Sequence, residues 1–92
     1  MKTLFVAVLC SLMLLSVAHV AFAKKDFYGV VESRPKGIEG TWVIGGKSIE
    51  ATELTQLDED SGPITVGTCV EVDIDDGIVE EIESEPPHKC KK

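Results

Sequence analysis

Two cysteines and one histidine carry the most reactive chemistry after the apolar first segment: Cys69, His88 and Cys90. Cys69 and Cys90 enclose about 20 residues, and a disulfide across such a loop stabilises a fold by ~3 kcal/mol in the chain-entropy model. Thiolates with an imidazole also suit zinc or copper. However, His88-Lys89-Cys90 is not a recognised ligand spacing, and no fourth ligand is evident. We predict a Cys69–Cys90 disulfide without a metal or cofactor, and keep a Cys69, His88 and Cys90 metal site as the alternative.

The acidic clusters and the remaining polar residues give weaker signals. Asp58-x-Asp60-x-Gly62 begins like a calcium loop, but its glycine is misplaced and no bidentate Glu follows at the required spacing. Cys-x-x-Cys and serine-nucleophile motifs are missing from the sequence. Nearly every acid is expected to be solvated, whereas acid–base catalysis needs carboxylates in opposing environments. We therefore predict that the protein is not an enzyme.

Aromatic residues offer a candidate binding face. Trp42, the only tryptophan, is expected in the core. The functional alternative is a stacking platform for a sugar or a peptide, which Tyr28 and Phe27 would join. The candidate face therefore comprises Trp42, Tyr28 and Phe27.

Composition divides the 92 residues in two. Residues 1–23 hold 18 of the 40 hydrophobic residues, and residues 24–92 hold 16 acidic against 8 basic side chains. A chain of this size has room for one small domain. Its net negative charge argues against binding to nucleic acid, which needs clustered Lys and Arg.

Residues 1–23 have the pattern of a secretory signal peptide. Lys2 precedes an apolar run, and Ala21 and Ala23 place small residues at a cleavage site. The alternative is a membrane anchor, because the run approaches spanning length. Cleavage predicts a periplasmic or secreted protein without a stable membrane span, in a compartment that permits disulfides.

Short β-branched segments punctuated by Gly and Pro predict strands throughout the mature chain. Gly45-Gly46 predicts a two-residue hairpin that pairs Ile44 with Lys47 and Trp42 with Ile49. The stretch 52–57 fits either a helical turn or an extension of the third strand, and we favour the extension. Five strands are predicted: Phe27–Glu32, Thr41–Ile44, Lys47–Ala51, Val66 or Thr68 to Asp75, and Ile78–Ser84.

The last two predicted strands form a second hairpin. A loop of residues 75–77 pairs Ile74 with Ile78 and Val70 with Ile82, which gathers the apolar residues on one face. The same register turns Glu80 toward the core.

Closure of the sheet would protect the edges of so small an all-β domain. The natural candidate is a small five-stranded OB-like Greek-key barrel. We predict this barrel over residues 24–85, followed by a short polar tail at 86–92 that Pro86-Pro87 opens.

Several segments resemble a bacterial exported family catalogued as domain of unknown function 5666. They are Phe27-Tyr28-Gly29-Val30-Val31, Gly40-Thr41-Trp42-Val43-Ile44-Gly45-Gly46, Gly67-Thr68-Cys69-Val70-Glu71-Val72 and Asp76-Gly77. The resemblance spans residues 27–82. It implies an exported, non-enzymatic β-barrel module and brings no catalytic residues.

These observations lead to one expectation and one alternative. We expect an exported, non-enzymatic binding or structural module of the cell envelope, whose partner is an unidentified ligand or envelope protein. The alternative is a metal-handling or thiol-based envelope protein that uses Cys69, His88 and Cys90.

Overall fold

A computed structural model describes residues 24–91, so the predicted signal peptide at 1–23 lies outside the described residues. The expectation of an all-β chain is confirmed. Between residues 24 and 91, no helix has the length and apolar character needed to cross a membrane. The elements are β1 (Lys24–Ser33), β2 (Gly40–Ile44), β3 (Lys47–Ala51), β4 (Gln56–Asp58), β5 (Cys69–Asp75), β6 (Ile78–Ser84) and a 3₁₀ helix, η1 (Pro87–Cys90).

The strands form one open mixed sheet in the order β3-β2-β1-β5-β6-β4. Neighbours are antiparallel except β4 and β6, which run parallel. The predicted closed five-stranded barrel is therefore wrong. The unpredicted strand β4 takes the outer edge of β6, so β3 forms no ladder there among the described residues. The sheet is nevertheless curled, since it brings Cα atoms of β3 within 8 Å of Cα atoms of β6 although the two strands are not neighbours in the sheet.

The first hairpin has the predicted register. Ile44 pairs with Lys47 and Trp42 pairs with Ile49. Gly45-Gly46 forms the turn with φ angles of 57° and 78°, which favour glycine. The register predicted from the Gly-Gly pair is therefore confirmed.

The inner face of the curled sheet carries the core, and Trp42 is its largest fully buried side chain. The Trp42 indole N–H donates to the Ile38 carbonyl at 2.8 Å. The Arg34 guanidinium lies 4.3 Å from the Trp42 ring centroid and donates to the Ile64 carbonyl at 2.5 Å. Arg34 thus covers the tryptophan and joins two loops. The buried apolar cluster consists of Val31, Trp42, Ile44, Ile49, Ala51, Ile64, Val70, Val72, Val79 and Ile82.

The turn of the second hairpin differs from the expectation. Residues 76–77 form a two-residue turn, and Ile74 pairs with Val79 instead of Ile78. Both turn residues have positive φ angles, 53° and 80°, which two-residue hairpins of the primed type require. The predicted loop of residues 75–77 is therefore wrong.

A bulge at Glu80 reconciles this short turn with a buried face. The ladder shifts register between the Ile74–Val79 and Asp73–Glu81 pairs, which leaves Glu80 as the extra residue. Ile82 then lies opposite Val72, not opposite Val70 as predicted. Glu80 itself is exposed, so the prediction that it faces the core is also wrong.

Residues 52–55 form a tight turn and residues 56–57 begin β4, so the stretch 52–57 does not extend β3 as expected. The Thr55 N–H donates to the Thr52 carbonyl at 3.0 Å. The buried Thr55 hydroxyl donates to the Val79 carbonyl at 2.7 Å. This turn directs β4 along β6.

Candidate functional site

Cys69 and Cys90 form the disulfide that the sequence predicts, with their Cα atoms 5.8 Å apart. Cys69 lies on the outer side of β5, and the Glu85 N–H donates to its carbonyl at 2.8 Å. The chain then turns back, and η1 packs against β1 and β5. The sulfur atoms of Cys69 and Cys90 are bonded to each other, and the His88 side chain is exposed on η1. The oxidised chain therefore offers no thiolate pair to the alternative metal site.

Lys89 on η1 reaches the outer side of β1. Its ammonium nitrogen lies 5.8 Å from the centroid of the Tyr28 ring, within the range of a cation–π contact. Tyr28 remains 45% exposed. The outer surface at Tyr28 thus already accepts one cation from the chain itself.

Trp42 lies in the core as expected, so the three aromatic residues of the alternative binding face do not all lie on one exposed face. Trp42 is fully buried. Phe27 is half-buried on the inner side of β1, where the Lys47 ammonium nitrogen lies 4.5 Å from its ring centroid. Tyr28 follows Phe27 in the strand and points to the opposite side. Only Tyr28 lies on the outer surface.

Carboxylates cover the outer side of β1, β5 and β6, a surface called here the acidic face. One row runs across three strands from Asp26 through Asp73 to Glu81. The next row runs from Tyr28 through Glu71 to Glu83. Directly opposed side chains on a sheet lie about 5 Å apart, so the like charges repel. The acidic face comprises Asp26, Glu71, Asp73, Glu81, Glu83 and Glu85.

This crowding changes the protonation of the acidic face. Burial, a hydrogen bond with Asp26 and the charges of Asp26 and Glu71 raise the pKa of Asp73 to about 6. Burial and the neighbouring carboxylates also raise the pKa of Glu71, although Lys89 partly offsets this rise. The pKa of Glu83 is raised by burial and by Glu85. Each shift reports an unfavourable environment for negative charge.

A groove of about 630 Å³ continues the acidic face toward the β5–β6 turn. Asp73 and Glu81 belong both to the acidic face and to the groove wall. Two exposed apolar side chains, Leu54 and Ile78, also line it, with 66% and 45% of their surface accessible. The groove, called here the acidic groove, combines negative charge with apolar surface.

The carboxylates also form two groups that share Glu71. Asp26, Glu71 and Asp73 make one, and Glu71, Glu83 and Glu85 make the other, with oxygen atoms within 4.8 Å in each. Calcium takes six to eight oxygen ligands in proteins. Three side chains supply only part of such a shell, and we assign no metal to these groups.

The calcium-like segment after β4 has a structural role. The Asp58 carboxylate accepts the Asp60 N–H at 3.0 Å, and the Glu59 carboxylate accepts the Ile64 N–H at 2.8 Å. These bonds satisfy backbone groups of the turn. The structure thus places this cluster in a hydrogen-bonded turn.

Sequence reasoning missed the acidic face as a unit. The alternation of acids with Val70, Val72 and Ile74 predicted an exposed strand face, but not its neighbours. The bulge at Glu80 brings Glu81 opposite Asp73, and the sequence did not predict that bulge. Pairing the acids across the hairpin in the correct register would have revealed the two rows.

Comparisons with protein-family models, with curated proteins and with solved structures find no match. The resemblance to the exported family stays a prediction. Function is therefore argued from the acidic face and the acidic groove.

Proposed function

We propose that the mature chain is an exported, non-enzymatic binding module that takes a cationic, partly apolar polypeptide segment on its acidic face and groove. The observation that carries this proposal is the concentration of six carboxylates on one side of β1, β5 and β6. The inner side of the same strands holds the core, whereas the carboxylates of the acidic face are exposed or half-buried among the described residues, with η1 packed beside them.

Electrostatics favours a cationic partner. Burial first, and the neighbouring carboxylates second, raise the pKa values of Asp73, Glu71 and Glu83, so negative charge is unfavourable at these three positions. A bound Lys or Arg side chain relieves this repulsion, and the gain is larger where the groups are partly shielded from water. The contact of Lys89 supports a cationic partner, because its ammonium group lies near the Tyr28 ring and partly offsets the rise in the pKa of Glu71.

The acidic groove favours a partner that is also apolar. Leu54 and Ile78 are exposed beside Asp73 and Glu81. A segment that alternates basic and apolar residues presents both chemistries to the groove. A free metal ion would use the carboxylates but leave the two apolar side chains exposed.

Export and the absence of catalysis belong to the same proposal. Disulfides persist in oxidising compartments, which suits the Cys69–Cys90 bridge and the signal-like residues 1–23. His88 is exposed on η1. The thiol-based alternative requires reduction of the bridge before either sulfur can bind a metal.

The test is calorimetric titration of the oxidised protein with a peptide of alternating lysine and leucine. Neutralising Asp73 and Glu81 together (Asp73→Asn, Glu81→Gln) is expected to raise the Kd roughly tenfold, since two charge contacts are lost. The matched control neutralises two exposed acids off the face (Glu39→Gln, Asp60→Asn) and leaves Kd within about twofold. If both double variants bound the peptide equally weakly, the effect would depend only on the net charge of the protein, which would contradict the proposal.

A peptide of alternating glutamate and leucine completes the design. It retains the apolar side chains but reverses the charge, so we expect no measurable binding. Comparable affinity for both peptides would show that the acidic face does not select its partner.

A further inference from the structure

A second concave surface lies away from the acidic groove, where the inner face opens between β1, β3 and the β5–β6 turn. Two contiguous pockets of about 470 and 540 Å³ share Lys25, Ser48, Ile49 and Ile74 in their linings. Together they are called here the mouth cleft. This volume lies in the range of small-molecule sites.

The floor of the mouth cleft is apolar. It is lined by Phe27 and Ile74, which are half-buried, and by Ile49 and Val79, which are buried. These side chains continue the core to the surface. A ligand seated here removes apolar area from water, which favours binding by roughly 25 cal/mol per Å² before the costs of association.

The rim carries two cations at inner-face positions. Lys25 pairs with Ile74, and Lys47 pairs with Ile44, so both lysines belong to the side of the sheet that is otherwise apolar. The Lys47 ammonium nitrogen lies 4.5 Å from the centroid of the Phe27 ring, at the edge of the apolar floor.

Two acids, Asp26 and Glu50, also belong to the lining of the mouth cleft, but their carboxylates make contacts on the outer side. Asp26 groups with Glu71 and Asp73 on the acidic face. The Glu50 carboxylate accepts a hydrogen bond from the Thr41 hydroxyl. Alternation along β1 and β3 thus directs cations inward and these acids outward.

We propose that the mouth cleft binds a small amphiphilic anion, with its carboxylate between Lys25 and Lys47 and its apolar body on Phe27, Ile49 and Ile74. Lysine ammonium groups make charge-assisted hydrogen bonds to carboxylates. Two lysines over an apolar floor match a head group and tail of this chemistry. The site has the opposite charge preference to the acidic face and does not depend on the proposed function.

The test titrates the purified, oxidised protein with octanoate below its aggregation concentration, followed by calorimetry and by NMR shifts of the Ile49, Ile74 and Val79 methyl groups. We expect saturable binding and shifts at these methyls. Octylammonium and octanol share the tail without the negative head, and we expect each to bind about tenfold more weakly or not at all. Equal binding of all three compounds would overturn the proposal.

Variants separate a specific head-group contact from net charge. Replacing both rim lysines (Lys25→Gln, Lys47→Gln) is expected to raise the octanoate Kd about tenfold or more. Replacing two exposed lysines elsewhere (Lys36→Gln, Lys91→Gln) is expected to leave it within about twofold. An unchanged Kd in the rim variant would overturn the proposal.

Two further measurements separate the mouth cleft from the acidic face and from attraction to a lipid surface. The rim variant is expected to bind the lysine–leucine peptide with unchanged affinity, which distinguishes failure at the mouth cleft from failure at the acidic face. Vesicles of an anionic phospholipid are expected to bind no protein. Vesicle binding without octanoate binding would overturn the choice of a soluble ligand.

Discussion

The two sides of β5 differ in burial and in charge. Val70 and Val72 on the inner side are fully buried. Glu71 and Asp73 on the outer side are half-buried, and this burial together with the neighbouring carboxylates raises their pKa values. Folding is therefore driven by one side of the strand and opposed by the other. The acidic face lowers stability and contributes nothing to the core, and this supports the proposal that it serves binding.

The largest effect on stability is expected from a substitution in the core on the inner side of the sheet. We expect Trp42→Ala to lower the free energy of unfolding by about 3–5 kcal/mol, because the change opens a cavity in the core. Tyr28→Ala on the outer side of β1 is the matched aromatic change, and we expect a loss of about 1 kcal/mol or less. Chemical denaturation of both variants measures the difference. Similar losses would contradict the assignment of the two sides.

Removing the disulfide tests how the tail is held on the outer side. We expect the Cys69→Ser and Cys90→Ser double variant to lose about 2–4 kcal/mol, since the bridge closes a loop in the unfolded chain. Release of η1 also frees Lys89 from Tyr28, so the lysine–leucine peptide is expected to bind at least as tightly as before. Denaturation and titration of the same sample check both results. Weaker peptide binding would show that the tail belongs to the binding surface.

The protonation of Asp73 on the outer side of β5 is expected to change stability less than the two substitutions above. Because its pKa rises from 3.8 to about 6 on folding, the folded protein holds this proton more tightly than the unfolded chain. Its contribution therefore lowers stability as pH rises between 3.8 and about 6, and is constant above that range. We expect Asp73→Asn to flatten this slope and to stabilise the protein at pH 7 by up to about 1 kcal/mol.

Unfolding followed from pH 4 to 8 measures the Asp73 effect. Asp60→Asn is the control, since Asp60 lies off the acidic face in an exposed turn. An unchanged slope in Asp73→Asn would assign the pH dependence to other groups.

The sequence predicts best where local chemistry determines the structure. Gly45-Gly46 tolerates the positive φ angles of a tight turn, and alternation then places Trp42 and Ile49 on one side. The pairing of Cys69 with Cys90 likewise follows because residues 24–92 contain these two cysteines and no third.

Long-range features were harder to predict. β4 is three residues long and pairs with β6, more than 20 residues further along the chain. No local sequence pattern therefore predicts this strand. The bulge at Glu80 allows the two-residue turn to form while Val79 and Ile82 both stay buried. A prediction that assumes a regular ladder does not include such an extra residue. The closed barrel was predicted wrongly because β4 was not foreseen, and the acidic face was missed because the bulge was not foreseen.

The most direct test of the central claim is to map the lysine–leucine peptide on the oxidised protein by NMR. We predict that amide shifts concentrate on β5 and β6 around Asp73 and Glu81, extend to Leu54 and Ile78, and fade as salt rises. Shifts confined to the mouth cleft, or spread evenly over the surface, would contradict the assignment of the acidic face as the binding surface.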